Sequence, residues 1–103
     1  MSEEAKEKLV RLRARQSGHR SVCTKLEKEA IELLQTHEET GIRRIEVIVG
    51  QFGEKLKVLN EIDEQILNIR DVNEIQTEIE ESAEISVRIL NTKWKLERYA
   101  KLV

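Results

Sequence analysis

The sequence IRRIEVIVGQFGEKLKVLNEIDEQILNI, residues 42–69, decides the fold of this chain. Its apolar residues recur in alternating steps of three and four, the period of one face of an α-helix: Ile42, Ile45, Val49, Phe52, Leu56 and Leu59. Four more isoleucines widen that face, as in a helix of a bundle core: Ile48, Ile62, Ile66 and Ile69. Residues 42–49 include five β-branched ones and would suit a strand by propensity alone. The helical period favours a helix over about 41–69.

The same period continues on both sides of this segment. A helix is predicted over about 3–35, with a stripe that is polar in its middle: Ala5, Leu9, Leu12, Gln16, His19, Cys23, Leu26, Ala30 and Leu33. A third helix is predicted over about 72–101, with this stripe: Val72, Ile75, Ile79, Ala83, Val87, Leu90 and Trp94. That stripe drifts toward Ile89, Leu96 and Ala100 at its end.

Capping residues mark where these helices begin. Ser2 is a candidate N-cap for the first helix. The first break spans residues 36–41, where Thr36 with Glu39 has the spacing of a capping box and Thr40 is a second candidate cap. The second break spans residues 70–74, and Asp71 there is expected to restart a helix.

Glycine and proline usage bears on helix continuity. Gly18 lies inside the first predicted helix, and we expect a weak or bent point there because glycine disfavours helix. The chain has no proline, so only the two breaks stop the helices.

Length and helix content together predict the fold class. The 103 residues suit a single domain covering 1–103. Helices of about 28 to 34 residues are about 42 to 51 Å long, which implies an elongated molecule. Short connections make neighbouring helices antiparallel. We therefore expect an all-α, elongated antiparallel three-helix bundle, or a hairpin of the second and third helices with the first packed elsewhere, with coiled-coil-like packing.

Composition excludes several classes of protein. Of the residues, 37% are charged and 39% apolar, and only three are aromatic, which suits long amphipathic helices better than a β-sandwich or barrel. A lone cysteine cannot make an intrachain disulfide framework. No apolar run approaches the 18 or so residues of a membrane span, and no signal peptide follows Met1. We expect a soluble, cytoplasmic protein.

Charge is segregated along the chain. Residues 8–25 carry six basic side chains and no acidic one, whereas residues 61–84 carry nine acidic side chains and one arginine. Residues 88–101 are basic again, with a net charge of +4. This alternation favours pairing between antiparallel segments or between chains over a uniformly basic nucleic-acid binder.

Two groups of residues have types that could carry chemistry, and each has a simpler structural explanation. His19 and Cys23 share a helix face, but a metal site needs at least three protein ligands and only His37 could be added, so a polar core layer is favoured. A Cys23–His19 nucleophile pair lacks any sign of a pocket. The acidic group is better explained as a solvated or docking face than as catalytic carboxylates or a cation site: Glu78, Glu80, Glu81 and Glu84. We expect no enzymatic activity, metal, cofactor or small-molecule substrate.

The basic first helix offers one binding chemistry. A row of cations suited to sequence-independent phosphate contact is formed by Lys8, Arg11, Arg13, Arg15 and Arg20. No aromatic residue interleaves them to stack on bases, so pairing with the acidic segment is favoured, with nucleic acid second and an acidic membrane surface third. Trp94 is expected to be a core anchor, with a partly exposed interface position as the alternative.

Two stretches also carry a resemblance. In residues 13–26, RARQSGHRSVCTKL, a basic cluster precedes a small residue and the step Thr24-Lys25-Leu26. Residues 55–67, KLKVLNEIDEQIL, fit the pattern L-x-x-L-x-x-x-D-E-x-I, and the acidic segment IEESAE follows at 79–84. These patterns resemble the N-terminal helical region of Gag-like polyproteins of Bel–Pao long-terminal-repeat retrotransposons. The resemblance implies a coiled-coil or bundle module that helps Gag chains associate, with no catalytic residue.

The sequence thus predicts a self-association module, with other copies or other Gag-like chains as partners. The residues expected in its core or interface are Leu9, Leu12, Leu26, Leu33, Phe52, Leu56, Leu59 and Trp94. The alternatives are a basic-helix nucleic-acid adaptor that binds RNA and a cytoskeletal or vesicle-tether bundle.

Overall fold

The chain folds into three long helices. The computed structural model describes residues 2–36 and 39–102, with only the backbone described at Glu39 and Thr40. The helices are α1 (Glu3–Thr36), α2 (Glu39–Ile69) and α3 (Val72–Leu102), and no strand occurs within the described residues. The predicted all-α class is confirmed. Three boundaries differ slightly, since α1 ends one residue after position 35, α2 begins two residues before position 41 and α3 ends one residue after position 101.

The helices form an elongated antiparallel bundle. The molecule measures 54 × 21 × 17 Å, with a radius of gyration of 16.4 Å; a compact globule of this length would be near 13 Å. α1 and α3 each pack mainly on α2. Arg44, near the start of α2, donates a hydrogen bond to Glu29 in the last third of α1. Asp63, near the end of α2, accepts one from Gln16, which lies earlier in α1. The two helices therefore run in opposite directions. The first helix therefore packs within its own chain.

The core has two apolar clusters along the rod. The larger one combines residues of all three helices: Cys23, Leu26, Ala30, Ile45, Ile48, Phe52, Leu59, Ile89 and Leu96. The smaller one lies toward the other end and contains Leu12, Ile62 and Ile66. The polar side chain of Gln16, which is buried, belongs to neither cluster.

α3 turns a different face inward than its apolar stripe predicts. The inner face of α3, buried or half-buried, is Ile75, Glu78, Ser82, Ile85, Ile89, Thr92 and Leu96. The predicted stripe beginning at Val72 is mostly exposed, so that assignment was wrong. The two faces have the same helical period, and the inner one contains Glu78, Ser82 and Thr92. Hydrophobicity alone therefore selects the wrong face.

The helix caps follow the sequence signals where the structure describes them. The Ser2 hydroxyl accepts a hydrogen bond from the Ala5 amide at 3.1 Å, which confirms the predicted N-cap. The backbone carbonyl of Asp71 accepts one from the Glu74 amide at 2.9 Å, immediately before α3. Residues 37 and 38 and the Glu39 side chain lie outside the described part, as does the capping box predicted there. Thr40, the second candidate cap, lies inside α2.

Gly18 is an exposed position inside an unbroken helix. α1 continues through it from Glu3 to Thr36, so the expected weak point does not interrupt the helix. A Cβ atom added at Gly18 would meet no heavy atom within 4 Å. The backbone is helical there, so alanine fits without strain.

Gly18→Ala is expected to stabilise the bundle. Alanine reduces the conformational freedom of the unfolded chain and should raise the free energy of unfolding by about 0.5–1 kcal/mol, measured by urea denaturation. Ser21→Ala, at another exposed position of α1, should gain less because serine is already a better helix former than glycine. Destabilisation by Gly18→Ala would contradict the open surroundings of this position.

Candidate interaction surfaces and the internal polar layer

A hydrogen-bonded layer joins α1 to α2 between the two apolar clusters. The buried Gln16 amide donates from Nε2 to Asp63 Oδ1 at 2.7 Å. Its Oε1 accepts a hydrogen bond from Arg13 Nη1 at 3.0 Å. Both ends of the amide are thus satisfied, as a buried polar group requires. Of the polar middle of the α1 stripe, Gln16 belongs to this layer, whereas His19 contacts Lys55 and Cys23 lies in the larger apolar cluster.

A buried carboxylate connects the same layer to α3. Glu78 is only 5% exposed. It forms ion pairs with Arg13 and with Arg70, whose Nε lies 3.3 Å from Glu78 Oε1. Burial, followed by the nearby charge of Arg70, lowers the pKa of Arg13. Two guanidinium groups therefore share one acid that is hidden from water, and together they tie α1, α3 and the α2–α3 connection into one cluster. This set, Arg13, Gln16, Asp63, Arg70 and Glu78, is called the polar layer below.

The basic part of α1 pairs with acids of its own chain. Arg13 reaches Glu78, and Arg20 Nη2 lies 3.9 Å from Asp63 Oδ1. The favoured prediction for this segment was pairing with the acidic region, within the chain or between chains, and for these two arginines the pairing occurs within the chain. Two further pairs link the helices on the surface. Arg88 Nε donates to Glu27 at 3.1 Å, and Arg44 holds Glu29, whose pKa is lowered by that hydrogen bond.

Of the five cations in the predicted row, two point toward the other helices and three point toward solvent. Arg13 and Arg20 turn toward α2 and α3 and are only partly exposed. Lys8, Arg11 and Arg15 are exposed. The surface of α1 therefore offers three of the five cations to an external phosphate backbone.

His19 and Cys23 lie together on α1 but do not form a chemical site. Cys23 is fully buried, and burial raises the pKa of its thiol. Nδ1 of His19 lies 2.9 Å from the Lys55 ammonium; the neutral ring can accept that bond, and burial followed by the Lys55 charge lowers the pKa of His19. Within residues 2–36 and 39–102, no three His, Cys, Asp or Glu side chains are placed to hold a metal ion. His37 lies outside the described residues.

α3 presents an apolar stripe to solvent. This outer stripe consists of Val72 (85% exposed), Ile79 (51%), Ala83, Val87 (55%), Leu90 (49%) and Trp94 (55%). Its members follow one another at helical spacing along most of α3. The exposed apolar side chains of α1, by contrast, are scattered over the helix: Val10, Val22 and Ile31. Beside Ile79 and Ala83, a groove of about 570 Å³ separates α3 from α2.

Trp94 is the main correction among the predicted site residues. It belongs to the outer stripe, so the core-anchor prediction is wrong and its alternative, a partly exposed position, fits the structure. Its ring is covered on one face by the Arg98 guanidinium, 4.9 Å from the centroid. The remaining predicted core or interface residues lie inside the bundle, either buried or packed against the two clusters: Leu9, Leu12, Leu26, Leu33, Phe52, Leu56 and Leu59.

Sequence reasoning missed the part that Glu78 and Arg70 play. The sequence places Glu78 on a solvated face or on a docking surface for the basic helix, and its pairing with Arg13 fits the second alternative. Its burial was not foreseen because it lies among exposed acids, such as Glu80 and Glu81. One signal was available: Glu78 is in step with Ile85, Ile89 and Leu96 rather than with the outer stripe.

No helix within the described part of the chain is long and apolar enough to cross a membrane.

Removing the buried carboxylate should destabilise the bundle. Glu78→Ala leaves Arg13 and Arg70 close together without their shared acid, and we expect a loss of about 2–4 kcal/mol in the free energy of unfolding. The measurement is chemical denaturation followed by circular dichroism. Glu64→Ala, which removes an exposed acid of α2, is the matched control and should change stability by less than about 0.5 kcal/mol. Equal effects of the two substitutions would contradict the central role of Glu78.

No protein-family model, no curated protein and no solved structure matches the chain. What the chain does must therefore be inferred from its own side chains.

Proposed function

We propose that this chain is a non-enzymatic helical module whose function is self-association, as in the assembly of a retrotransposon Gag-like protein. The outer stripe of α3 carries this proposal. Its large side chains, from Val72 to Trp94, are half-exposed or more, although the bundle has a complete core without them. An apolar surface of this continuity is typical of a protein–protein contact.

The energetics of the outer stripe favour covering it. Removing apolar surface from water contributes roughly 25 cal/mol per Å². A second helical surface is a suitable cover because side chains spaced by three and four residues pack into a matching helix. A tryptophan near one end adds a large contact area at small entropic cost. α3 therefore supplies both the apolar seam and an anchor residue.

The resemblance to Gag-like proteins supplies the biological context of the proposal. The segment 79–84, one of the stretches that carry the resemblance, contributes Ile79 and Ala83 to the outer stripe. Association through this face would bring neighbouring Gag-like chains together in the cytoplasm and would require no catalytic residue or cofactor.

The first experiment measures the mass of the protein as a function of concentration. The wild-type mass, determined by sedimentation equilibrium or light scattering, should rise above the 12.0 kDa of one chain between about 10 and 500 µM. Leu90→Glu places a charge in the seam and should keep the protein monomeric over that range. Val47→Glu introduces the same charge at a half-exposed position of α2 and should associate like the wild type.

Two outcomes would argue against self-association through this face. A wild-type protein of constant monomer mass at 500 µM, in buffer of moderate salt, would remove self-association as its function. Association that Leu90→Glu leaves intact would assign it to another surface. Circular dichroism of each variant verifies that the bundle is still folded.

A nucleic-acid adaptor remains the second candidate because three cations of α1 are exposed. Lys8, Arg11 and Arg15 are available to phosphates. If they bind RNA, a single-stranded oligonucleotide should bind at about 50 mM salt and lose most of its affinity by 200 mM, and Arg11→Gln with Arg15→Gln should weaken binding further. Fluorescence anisotropy measures this, with Lys57→Gln on α2 as control. Absence of binding at low salt would exclude the adaptor.

A further inference from the structure

We infer that a second copy of this chain docks on the outer stripe with its α3 antiparallel, so that the acidic half of each α3 faces the basic half of the other. This inference rests on the proposed function, because it names the partner and geometry of the same surface. Its basis is the placement of charge and side-chain size along α3.

The two halves of α3 carry opposite charge. Residues 72–84 include five acids and no base, and residues 88–101 include five bases and one acid. In a parallel pair, each acidic half would lie beside the acidic half of the other copy and repel it. In an antiparallel pair, the acidic half of each α3 lies beside the basic half of the other. Charge complementarity therefore selects a second copy, in one orientation, as the occupant of this face.

Four exposed charges border the outer stripe on one side, whereas Lys93 and Glu97, which pair with each other at 3.4 Å, border it on the other. Each residue turns an α-helix by about 100°, which places Glu80, Glu84, Lys95 and Arg98 along the same flank. All four are exposed. A two-fold axis perpendicular to two antiparallel helices brings identical flanks together. Glu80 and Glu84 of one copy then face Arg98 and Lys95 of the other.

The same register matches side-chain sizes across the seam. Placing the two-fold axis between Arg88 and Ile89 sets Ala83 opposite Trp94 of the second copy, and Val87 opposite Leu90 of the second copy. Ala83, the smallest residue of the outer stripe, then leaves room for Trp94 of the second copy, the largest one, as in knobs-into-holes packing. The pairs Ala83–Trp94 and Val87–Leu90 therefore favour this register.

The size of the contact sets the expected affinity. The overlap of the two α3 helices covers about 28 residues, or about 42 Å, and a seam roughly 10 Å wide buries about 800–900 Å² in total. Stable dimers commonly bury 1,200–2,000 Å², so this one belongs to the weak class, with a dissociation constant in the micromolar range. The concentration range chosen for the mass measurement covers it.

A charge swap within one chain tests the orientation. Arg98→Glu, or Glu80→Arg, converts two attractive contacts of the dimer into repulsive ones. Each substitution should therefore raise the dissociation constant of the dimer about tenfold or more at low salt. The double variant, Glu80→Arg with Arg98→Glu, should return to within about threefold of wild type because the reversed charges again face their opposites. The two positions are about 27 Å apart in one chain, so recovery requires contact between copies. Arg11→Glu on α1 is the matched control.

Disulfide trapping gives a second readout that leaves the seam intact. Glu80→Cys chains mixed with Arg98→Cys chains should form a mixed disulfide dimer on mild oxidation, and Glu80→Cys chains alone should not. Cys23 is fully buried, and wild-type chains under the same oxidation serve as its control. Trp94, the single tryptophan, should shift its emission to shorter wavelength as the wild-type dimer forms.

The outcomes separate this inference from the proposed function. Efficient self-linking of Glu80→Cys, or a double charge variant as weak as the single ones, would overturn the antiparallel arrangement while leaving self-association in place. A wild-type protein that stays monomeric would overturn both.

Discussion

The structure depends on the ion cluster that Glu78 forms with Arg13 and Arg70. α3 has two faces of helical period, and only one can be buried against α1 and α2. Glu78 lies on the buried face, where its carboxylate forms ion pairs with the guanidinium groups of Arg13 and Arg70. Turning α3 to bury the outer stripe would separate Glu78 from both arginines, of which Arg70 also pairs with Glu74. Breaking a buried ion pair is strongly destabilising, which opposes that orientation.

The orientation of α3 links the core to the proposed function. Because Glu78, Ser82 and Thr92 occupy positions of the inner face, the apolar residues from Val72 to Trp94 are left on the outside. The protein thereby keeps a complete core and retains a second apolar surface. The same segregation of charge that joins Arg13 to Glu78 inside the chain also makes α3 acidic in one half and basic in the other.

The sequence predicts the three helices and the faces of α1 and α2 well, because on these helices most apolar residues of the stripe are also the buried ones. Phe52 and Leu59 are examples on α2, and Leu12 and Leu26 on α1. It fails on α3 for a physical reason. Periodicity gives the spacing of a face but not which of two spaced faces packs inward, and that depends on partners such as Arg13, about 65 positions earlier. Trp94 was misplaced by the same error.

The polar layer is better understood as a source of specificity than of stability. Ion pairs that are buried contribute little net free energy compared with well-packed apolar residues of similar volume, and replacing them is often neutral or stabilising. Leucine at both positions 16 and 78 would remove the hydrogen bond and ion pairs that only the inner face of α3 and its neighbours make. The bundle would then lose its distinction between the surface that folds the chain and the surface left for a partner. Glu78 keeps those two surfaces separate.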